Sequence, residues 1–198
     1  MSNTMFSTNP IEQFKSWFHE AEQAGVLVPE GMTLATVDED GIPDARVVLL
    51  KEVREESFVF FTNYLSSKGR QIHVHSQAAL VFWWASMEKQ IRVRGSLFKI
   101  EPAQSDAYFK TRPRGSQLSV WASHQSEILL ERSILEKSVQ SYARRFEGKE
   151  VPRPPHWGGY ALKPNSLEFW QGQESRLHDR FRYCRNSAGS WAVNRLFP

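Results

Sequence analysis

The sequence predicts a mainly β protein, an antiparallel barrel with helices inserted into it or packed outside it. Strand-like runs rich in β-branched and aromatic residues recur along the chain. Short turns join most of these runs, which favours antiparallel pairing. Since we find no internal repeat, no low-complexity tract and no separating linker, we expect one domain over residues 1–198.

Composition is typical of a protein with a real core, because 40% of the residues are hydrophobic. A single cysteine, Cys184, excludes an internal disulfide and fits a reducing compartment. The opening MSNTMFSTNP has neither the apolar core nor the cationic lead of a secretory signal. No apolar run approaches the roughly 20 residues of a membrane helix. We therefore expect a cytoplasmic protein that does not enter a membrane.

The first element is a helix over about 10–24. Asn9 can cap it, Pro10 suits its first position, and Gly25 is a plausible stop. Apolar residues recur at helical spacing, at Ile11, Phe14, Trp17, Phe18 and Ala21. This helix should lay one apolar face on the sheet.

The remaining elements follow from the same patterns. Runs 32–38, 45–53 and 57–63 indicate strands, 66–76 a short helix, and 78–84 and 90–100 strands again. A bulge is expected at Leu97-Phe98, where alternation breaks. Patterns at 102–112 and 126–148 predict a helical insertion over about 102–148. A Pro-rich connection over 151–160 then leads to strands at 160–170, 176–185 and 190–197.

Metal and nucleophile motifs are not recognisable. His73-x-His75 is the only close histidine pair, and no HExxH or CxxC accompanies it. The sequence also lacks GxSxG, GxGxxG and a Walker sequence. We expect no metal and none of these catalytic or nucleotide loops.

Anion-binding residues recur instead at the ends of predicted elements. Arg46 and Lys51 flank an apolar strand and, being an odd number apart, should point to opposite faces. Ser66-Ser67-Lys68-Gly69 opens a helix and could hold a phosphate. Taken alone, each is better explained by a solvated strand end or a simple helix cap.

A phosphate-sized cup is predicted further along the chain. Tyr108 and Arg112 lie four apart on a helix and share a face, and Ser116 follows. A surface helix end is the alternative. Several such clusters suggest one or two phosphorylated small ligands rather than nucleic acid, because the cations are scattered and interleaved with acids.

The stretch 168-EFWQGQESRLHDRFRY-183 is unusual for its charge. Read as a strand, one face collects Arg176, His178, Arg180 and Arg182. Like charges side by side are unfavourable unless anions or electron-rich rings lie opposite. The polar residues after Gly172 leave open a loop at Arg176, with the strand beginning after it.

Taken together, these motifs resemble the pyridoxamine 5′-phosphate oxidase family. The resemblance runs from about residue 10 to 198 and is carried by six segments and the final RLFP. The segments are RVVLLK (46–51), FFTNYLSSKG (60–69), YFKTRPRGSQ (108–117), WASHQS (121–126), PRPPHWGGY (152–160) and the stretch 168–183.

The resemblance implies an FMN-binding split β-barrel and a homodimer with FMN at the subunit interface. The family oxidises pyridoxine 5′-phosphate or pyridoxamine 5′-phosphate to pyridoxal 5′-phosphate by hydride transfer from the C4′ carbon to flavin N5. Molecular oxygen reoxidises the flavin and leaves as hydrogen peroxide, and the amine substrate also releases ammonia. No nucleic-acid or membrane partner is implied.

Site residues also follow from the resemblance. Arg176 and His178 orient the substrate and ease the loss of its proton. The substrate-binding residues are Lys51, Tyr108, Arg112, Ser116, Arg176, Leu177 and His178. The FMN-binding residues are Arg46, Val47, Val48, Leu49, Leu50, Lys51, Phe61, Thr62, Lys68, Gln90, Gln125, Ser126, Trp170 and Arg180.

Two positions depart from the family pattern. Ser67 stands where the family often carries Arg, and Phe61 where Tyr is common. Loss of a cation at Ser67 should lower FMN affinity. Two rival functions are an oxidase of the phenazine-biosynthesis branch and a non-catalytic flavin or pyridoxal-phosphate carrier. The phosphate cup favours a phosphorylated substrate over the phenazine branch. A nucleic-acid-binding barrel is a third and weaker rival.

Overall fold

The computed structural model describes residues 7–198. The first six positions of the segment that we expect not to be a secretory signal lie outside this range. Five α-helices and nine strands are present among the described residues. The helices are α1 Pro10–Gln23, α2 Ser67–Val74, α3 Pro102–Thr111, α4 Arg114–Ala122 and α5 Arg132–Arg145. The strands are β1 Gly31–Val37, β2 Pro43–Leu49, β3 Glu52–Arg54, β4 Ser57–Asn63, β5 Gln77–Trp84, β6 Lys89–Lys99, β7 Trp157–Gln171, β8 Asp179–Arg185 and β9 Trp191–Arg195.

All nine strands form one antiparallel sheet. Its main order is β2-β1-β5-β6-β7-β4-β3, and β8 pairs with β7 and with β9. The long strand β7 pairs with β6 along one edge, and its other edge is shared by β4 and then β8. The predicted mainly β, antiparallel fold with peripheral helices is confirmed.

The sheet curls because its two ends are joined by two residues of chain. Strands β2 and β3 lie at opposite ends of the order, yet only Leu50 and Lys51 separate them. The backbone N–H of Leu50 donates to Glu30 O (2.9 Å), beside β1, and that of Lys51 donates to Val59 O (2.8 Å) on β4. The residues between β2 and β3 therefore bridge the two ends of a split barrel.

Helix α1 covers the hydrophobic interior of the curled sheet. The side chain of Asn9 accepts a hydrogen bond from Ile11 N (2.9 Å), and Pro10 occupies the first turn, as predicted. Phe14 is 1% exposed and packs edge-on against Phe58 of β4 and Phe82 of β5. Burial of such aromatic side chains is the main stabilising contribution of this helix.

Helices α3, α4 and α5 form a layer beside β4 and the start of β7. This layer has its own buried cluster of Phe109, Leu118, Phe146, Val151 and Trp157. Gly158 and Gly159 follow Trp157 on β7, where an added Cβ would lie 2.1 Å from Tyr64 Oη or 2.4 Å from Ile100 Cδ1. Side chains are therefore excluded where the layer meets the sheet.

The structure corrects several predicted boundaries. The helix expected over 126–148 begins only at Arg132, and the unpredicted helix α4 precedes it. The run 45–53 is broken at residues 50–51, where the chain crosses between the sheet ends. The connection 151–160 ends early, since β7 begins at Trp157. The bulge predicted at Leu97-Phe98 was wrong, because the register shifts between Arg94 and Gly95.

The charged stretch was also only partly a strand. Residues Glu174–Arg176 form a short 3-10 turn, and β8 begins at Asp179. Ser175 and Arg176 adopt positive φ angles of 55° and 61°, which break a strand. The loop alternative for Arg176 is therefore correct. The prediction of a single domain over 1–198 stays a prediction.

Candidate active site

A cleft of about 1220 Å³ lies between β2, β4 and the layer of helices. This volume exceeds the roughly 300–1,000 Å³ typical of a pocket for one small molecule. Twelve of the predicted site residues line it, namely Arg46, Val47, Val48, Leu49, Lys51, Phe61, Thr62, Lys68, Tyr108, Arg112, Ser116 and Gln125. Residues far apart in the sequence are thus brought to one cleft.

Lys68 carries a positive charge in a largely buried position, which is unfavourable for an ammonium group. Its residue is only 9% exposed, and its Nζ donates one long hydrogen bond to Ser66 Oγ (3.4 Å). Burial lowers the pKa of Lys68, and the nearby positive charge of Arg46 lowers it further, against a smaller opposing effect of the Asp44 carboxylate. Among residues 7–198, no carboxylate forms an ion pair with Lys68. A buried cation beside a second cation is suited to binding an anion.

Local structure explains why Lys68 is buried. Ser66 caps α2 by accepting from Gly69 N, and the first turn packs close to the preceding loop. A Cβ on Gly69 would lie 2.1 Å from Tyr64 O, so only glycine allows this approach. The tight turn therefore holds the Lys68 side chain against the cleft wall.

Arg46 is fixed on β2 by a network of side chains. Its guanidinium donates to Thr36 Oγ1 (2.5 Å), Gln71 Oε1 (2.9 Å) and Asp44. The hydrogen bond from Gln71 is the largest cause that lowers the pKa of Asp44. Burial opposes it, and the charge and hydrogen bond of Arg46 lower the pKa further. The arrangement holds one more cation in the cleft near Lys68.

Four further polar residues that line the same cleft form a second group. Lys51, Tyr108, Arg112 and Ser116 come from the β2–β3 connection, α3, the α3–α4 junction and α4. Alternation placed Arg46 and Lys51 on opposite faces, and this was wrong, because β2 ends at Leu49 and both residues line the cleft. The two cations and the two hydroxyl groups of this set can surround one phosphate.

Aromatic stacking orients this second group. Arg112 lies over the Trp157 ring, 4.6 Å from its centroid, and burial lowers the pKa of Arg112. Tyr108 stacks on Phe61 with ring centroids 3.9 Å apart, and Phe61 stacks on Trp157 at 5.4 Å. Phe61 therefore contributes a flat surface rather than a hydroxyl.

A second set of predicted residues lies outside that cleft. Gln90, Trp170 and Arg180 are cross-strand neighbours on β6, β7 and β8. Leu50 is buried, and Ser126, Arg176, Leu177 and His178 also do not line the cleft of the described chain. The predicted site residues therefore form two sets within one chain.

His178 and Trp170 form the centre of this second set. Their ring centroids are 4.6 Å apart, and the backbone N–H of Gln173 donates to His178 Nδ1 (3.1 Å). Because Nδ1 accepts, the neutral imidazole carries its proton on Nε2. Arg176 and Leu177 are exposed in the preceding turn, with Leu177 71% exposed. All three residues are therefore accessible to a ligand.

Arg180 is already paired within the chain. Its Nε and Nη2 donate to Glu168 Oε1 (3.1 and 2.7 Å), and Nη1 donates to Phe197 O (3.1 Å). Glu168 is 8% exposed and also receives a 3.4 Å contact from Arg92. This buried carboxylate reduces the like-charge repulsion noted for the stretch 168–183, while Arg182 is exposed.

Several residues of the two sets were not assigned from sequence. Trp157 and Glu168 lie inside the quoted motifs, but nothing in their spacing indicated a contact with Arg112 or Arg180. Gln71 lies one helical turn after Lys68. Trp83 on β5 pairs with Gln90 on β6, and its ring centroid is 5.8 Å from that of Trp170. Only Gln71 carried a sequence signal, its i, i+3 spacing from Lys68.

Other features of the described residues add little to the site. Across residues 7–198, no group of three or more His, Cys, Asp or Glu side chains could hold a metal ion. Within the same range, every helix is too short or too polar to cross a membrane. Cytoplasmic location stays a prediction.

Comparisons with known proteins agree with the sequence motifs. The model of the family described as pyridoxamine 5′-phosphate oxidase matches residues 18–145. A second model, described as the pyridoxine 5′-phosphate oxidase C-terminal dimerisation region, matches residues 157–198 and supports a homodimer. The two matches cover both sets of site residues.

Relatives named pyridoxine/pyridoxamine 5′-phosphate oxidase are similar over nearly the whole chain. The protein of Cupriavidus metallidurans is 50% identical over 198 residues, covering 100% of this chain and 93% of the relative. That of Acaryochloris marina is 49% identical over 195 residues, covering 98% and 89%.

Solved structures share the fold. PhzG from Burkholderia lata, in complex with tetrahydrophenazine-1-carboxylic acid, is 31% identical with a TM-score of 0.91, covering 97% of this chain and 94% of PhzG. A pyridoxamine 5′-phosphate oxidase-related, FMN-binding protein from Nostoc punctiforme has a TM-score of 0.77 at 17% identity, covering 98% and 100%. It supports the split-barrel fold alone. Because two family models match and relatives are about 50% identical in sequence, the chain belongs to the pyridoxamine 5′-phosphate oxidase family.

Proposed function

We propose that this protein is an FMN-dependent oxidase that converts pyridoxamine 5′-phosphate and pyridoxine 5′-phosphate to pyridoxal 5′-phosphate. Oxygen is the electron acceptor and gives hydrogen peroxide, and the amine also gives ammonia. The observation that carries the proposal is one cleft with two cationic groups, Arg46 with Lys68 and Lys51 with Arg112. Two phosphorylated molecules, a cofactor and a substrate, match two such groups.

The FMN phosphate is assigned to Arg46 and Lys68. The ammonium of Lys68 is buried without a carboxylate partner, and a phosphate would supply the missing negative charge. Thr62 lines the same cleft and adds a hydroxyl. The exposed edge of Val47–Leu49 lies beside it, and its backbone can run along a flat ring.

The substrate phosphate is assigned to Lys51, Tyr108, Arg112 and Ser116. Arg112 is held over Trp157 and Tyr108 is stacked on Phe61, so both groups are oriented before a ligand binds. Preorganised donors reduce the entropy cost of binding and hold the reacting carbon at a defined distance.

FMN, when bound, accepts the hydride from the C4′ carbon of the substrate and passes the electrons to oxygen. The chain's own residues orient the substrate and ease the loss of its proton. His178 presents Nε2–H when neutral, because Nδ1 is occupied by the Gln173 backbone. We assign Arg176, Leu177 and His178 to the substrate ring, and Trp170, Gln90 and Arg180 to the flavin.

A homodimer would reconcile the two sets of residues. The set around Trp170 and His178 lies outside the cleft of its own chain, and residues 157–198 match a dimerisation region. In a twofold dimer each chain can present this set to the cleft of the other. We therefore propose that FMN lies at the interface and that Gln125 and Ser126 also reach it there.

The experiment that tests the proposal combines flavin content, oxygen uptake and product formation. The purified protein should show a flavin absorbance band, alone or after reconstitution with FMN. It should then consume oxygen and form pyridoxal 5′-phosphate from each phosphorylated vitamer. Unphosphorylated pyridoxine and pyridoxamine are the matched control and should react far more slowly. A protein that FMN cannot reconstitute would refute the proposal.

Oxidation of a phenazine precursor is the second candidate, favoured by the likeness to PhzG. A tricyclic carboxylic acid has no phosphate, so it would leave the cup of Arg112 and Tyr108 without a ligand. Oxygen uptake with a dihydrophenazine carboxylic acid, but with neither vitamer, would favour this candidate. Flavin binding without oxygen uptake on any of these compounds would favour a carrier.

A further inference from the structure

We propose that Gln71 is a positioning residue that orients the Arg46 guanidinium toward the FMN phosphate. Helix α2 would then supply one cation of the phosphate site directly, through Lys68, and control the second through Gln71. This inference rests on the proposed FMN site. It assigns a role to a side chain that need not touch the cofactor.

Gln71 is the node of the hydrogen-bond network around Arg46. Its Oε1 accepts from Arg46 Nη2 (2.9 Å) and from Thr36 Oγ1 (2.6 Å). Its Nε2 donates to Asp44 Oδ2 (3.3 Å). One amide therefore contacts every side chain that hydrogen-bonds the guanidinium.

The network fixes the guanidinium from both terminal nitrogens. Nη1 donates to Thr36 Oγ1 (2.5 Å) and Leu34 O (3.2 Å), and Nη2 donates to Gln71 and Asp44. Of the five N–H donors of arginine, these four contacts leave the Nε–H. The rotation of the group is thus set, and we assign its Nε–H to an anion in the cleft.

The Arg46 guanidinium must be held in place by hydrogen bonds because Arg46 and Lys68 repel each other. The charge of Arg46 is one of the causes that lower the pKa of Lys68, so the two groups are close enough to interact. A free guanidinium would turn toward solvent to relieve this repulsion. Gln71 is uncharged, so it holds Arg46 without adding a second negative charge to that of Asp44, which already forms an ion pair with the guanidinium.

The helix makes the arrangement possible. Lys68 and Gln71 are three positions apart on α2, and such residues share one helix face. Thr36 is 1% exposed and lies on β1, which pairs with the β2 strand that carries Arg46. The hydrogen-bond network around Arg46 therefore joins strand β1, edge strand β2 and helix α2, which are separate along the sequence.

The test compares binding of FMN and of riboflavin, which differ by the phosphate. Dissociation constants are measured by flavin fluorescence for the full-length chain and its variants. Gln71→Met keeps the length of the side chain but removes its hydrogen bonds. It should weaken FMN binding about tenfold, the size expected for one to two hydrogen bonds, and leave riboflavin binding unchanged.

Thr36 gives a second, matched pair. Thr36→Val keeps the shape and removes the hydroxyl, and should weaken FMN binding, whereas Thr36→Ser keeps the hydroxyl and should bind FMN like the original chain. His73→Gln changes an exposed residue on the same helix and should change neither affinity. Thermal unfolding of each ligand-free variant checks that the fold is retained.

The outcomes separate this inference from the proposed function. Equal losses of FMN and riboflavin affinity in Gln71→Met and Thr36→Val would overturn the positioning role, because a general structural defect affects both ligands. Unchanged FMN affinity in both variants, with a large loss in Arg46→Gln, would also overturn it while leaving the FMN site in place. If the original chain binds no FMN, the proposed function itself is wrong.

Discussion

Replacing Lys68 by methionine should make the ligand-free protein more stable and the flavin complex weaker. Methionine has a similar length and no charge. Lys68 is 9% exposed, has one 3.4 Å hydrogen bond and lies near Arg46, so its ammonium is poorly solvated. Removing an unpaired, largely buried charge relieves desolvation and repulsion.

The expected gain in the free energy of unfolding is about 1 kcal/mol, the usual size for one favourable substitution. For a chain of this length that corresponds to a rise in Tm of about 2–4 °C. The loss in FMN binding should be larger. A charge-assisted hydrogen bond contributes about 1.5–3 kcal/mol, so affinity should fall roughly 10- to 150-fold.

The pH dependence gives the reasoning a sharper test. The pKa of Lys68 is lowered in the folded chain from the usual 10.5, so the unfolded chain binds more protons in that window. Below the lowered pKa the original chain carries the full destabilisation, and this destabilisation disappears as pH rises toward 10.5. The stability advantage of Lys68→Met should therefore shrink across that window.

The assay is urea unfolding of the ligand-free and FMN-bound forms, followed by tryptophan fluorescence. Lys137→Met replaces an exposed lysine on α5 and is the matched control, with no expected gain. Lower stability of ligand-free Lys68→Met at neutral pH, with folding intact, would refute the view that Lys68 is held at a cost for anion binding.

Further predictions concern the phosphate cup, the second set of residues and the proton on Lys68. Arg112→Ala should raise the Michaelis constant for pyridoxamine 5′-phosphate about tenfold or more, while the flavin content, measured by absorbance, stays unchanged. An equal loss of FMN would show that the two phosphate sites are exchanged. Glu168→Gln should lower the free energy of unfolding by roughly 1–3 kcal/mol, since Arg180 and the half-exposed Arg92 lose their shared carboxylate; no change in a urea titration would contradict this. FMN affinity should decrease as pH rises through the lowered pKa of Lys68, while riboflavin affinity stays constant in the same fluorescence titration.

Sequence patterns predicted most elements because each depends on local chemistry. The cap at Asn9 and the apolar spacing from Ile11 predicted α1 to within a residue of its end. The helix expected over 126–148 failed at its start because apolar residues at Ile128 and Leu129 fitted the helical pattern, although 92% and 49% of their surfaces are exposed in a loop. The spacing of apolar residues does not distinguish a buried helix face from apolar residues that are exposed to solvent.

The phosphate-competent clusters illustrate the same limit. Taken alone in the sequence, Ser66-Ser67-Lys68-Gly69 favours a simple cap over a phosphate site. The choice is made by burial, since the cap places the ammonium of Lys68 in a cleft where no carboxylate of the described residues forms an ion pair with it. The burial of Lys68 depends on the loop at Tyr64, which precedes α2, and on β2, which lies further away along the chain.

What the sequence by itself determined is the order and type of most elements, the family resemblance and the set of cationic residues. Tertiary structure alone decided which of them meet. Arg46 and Lys51 face one cleft because β2 ends at Leu49 and the sheet ends join there, whereas Arg180 turns to the buried Glu168. Local patterns record backbone preferences and periodicity, but the neighbours that solvate, pair or repel a charge come from elsewhere in the chain.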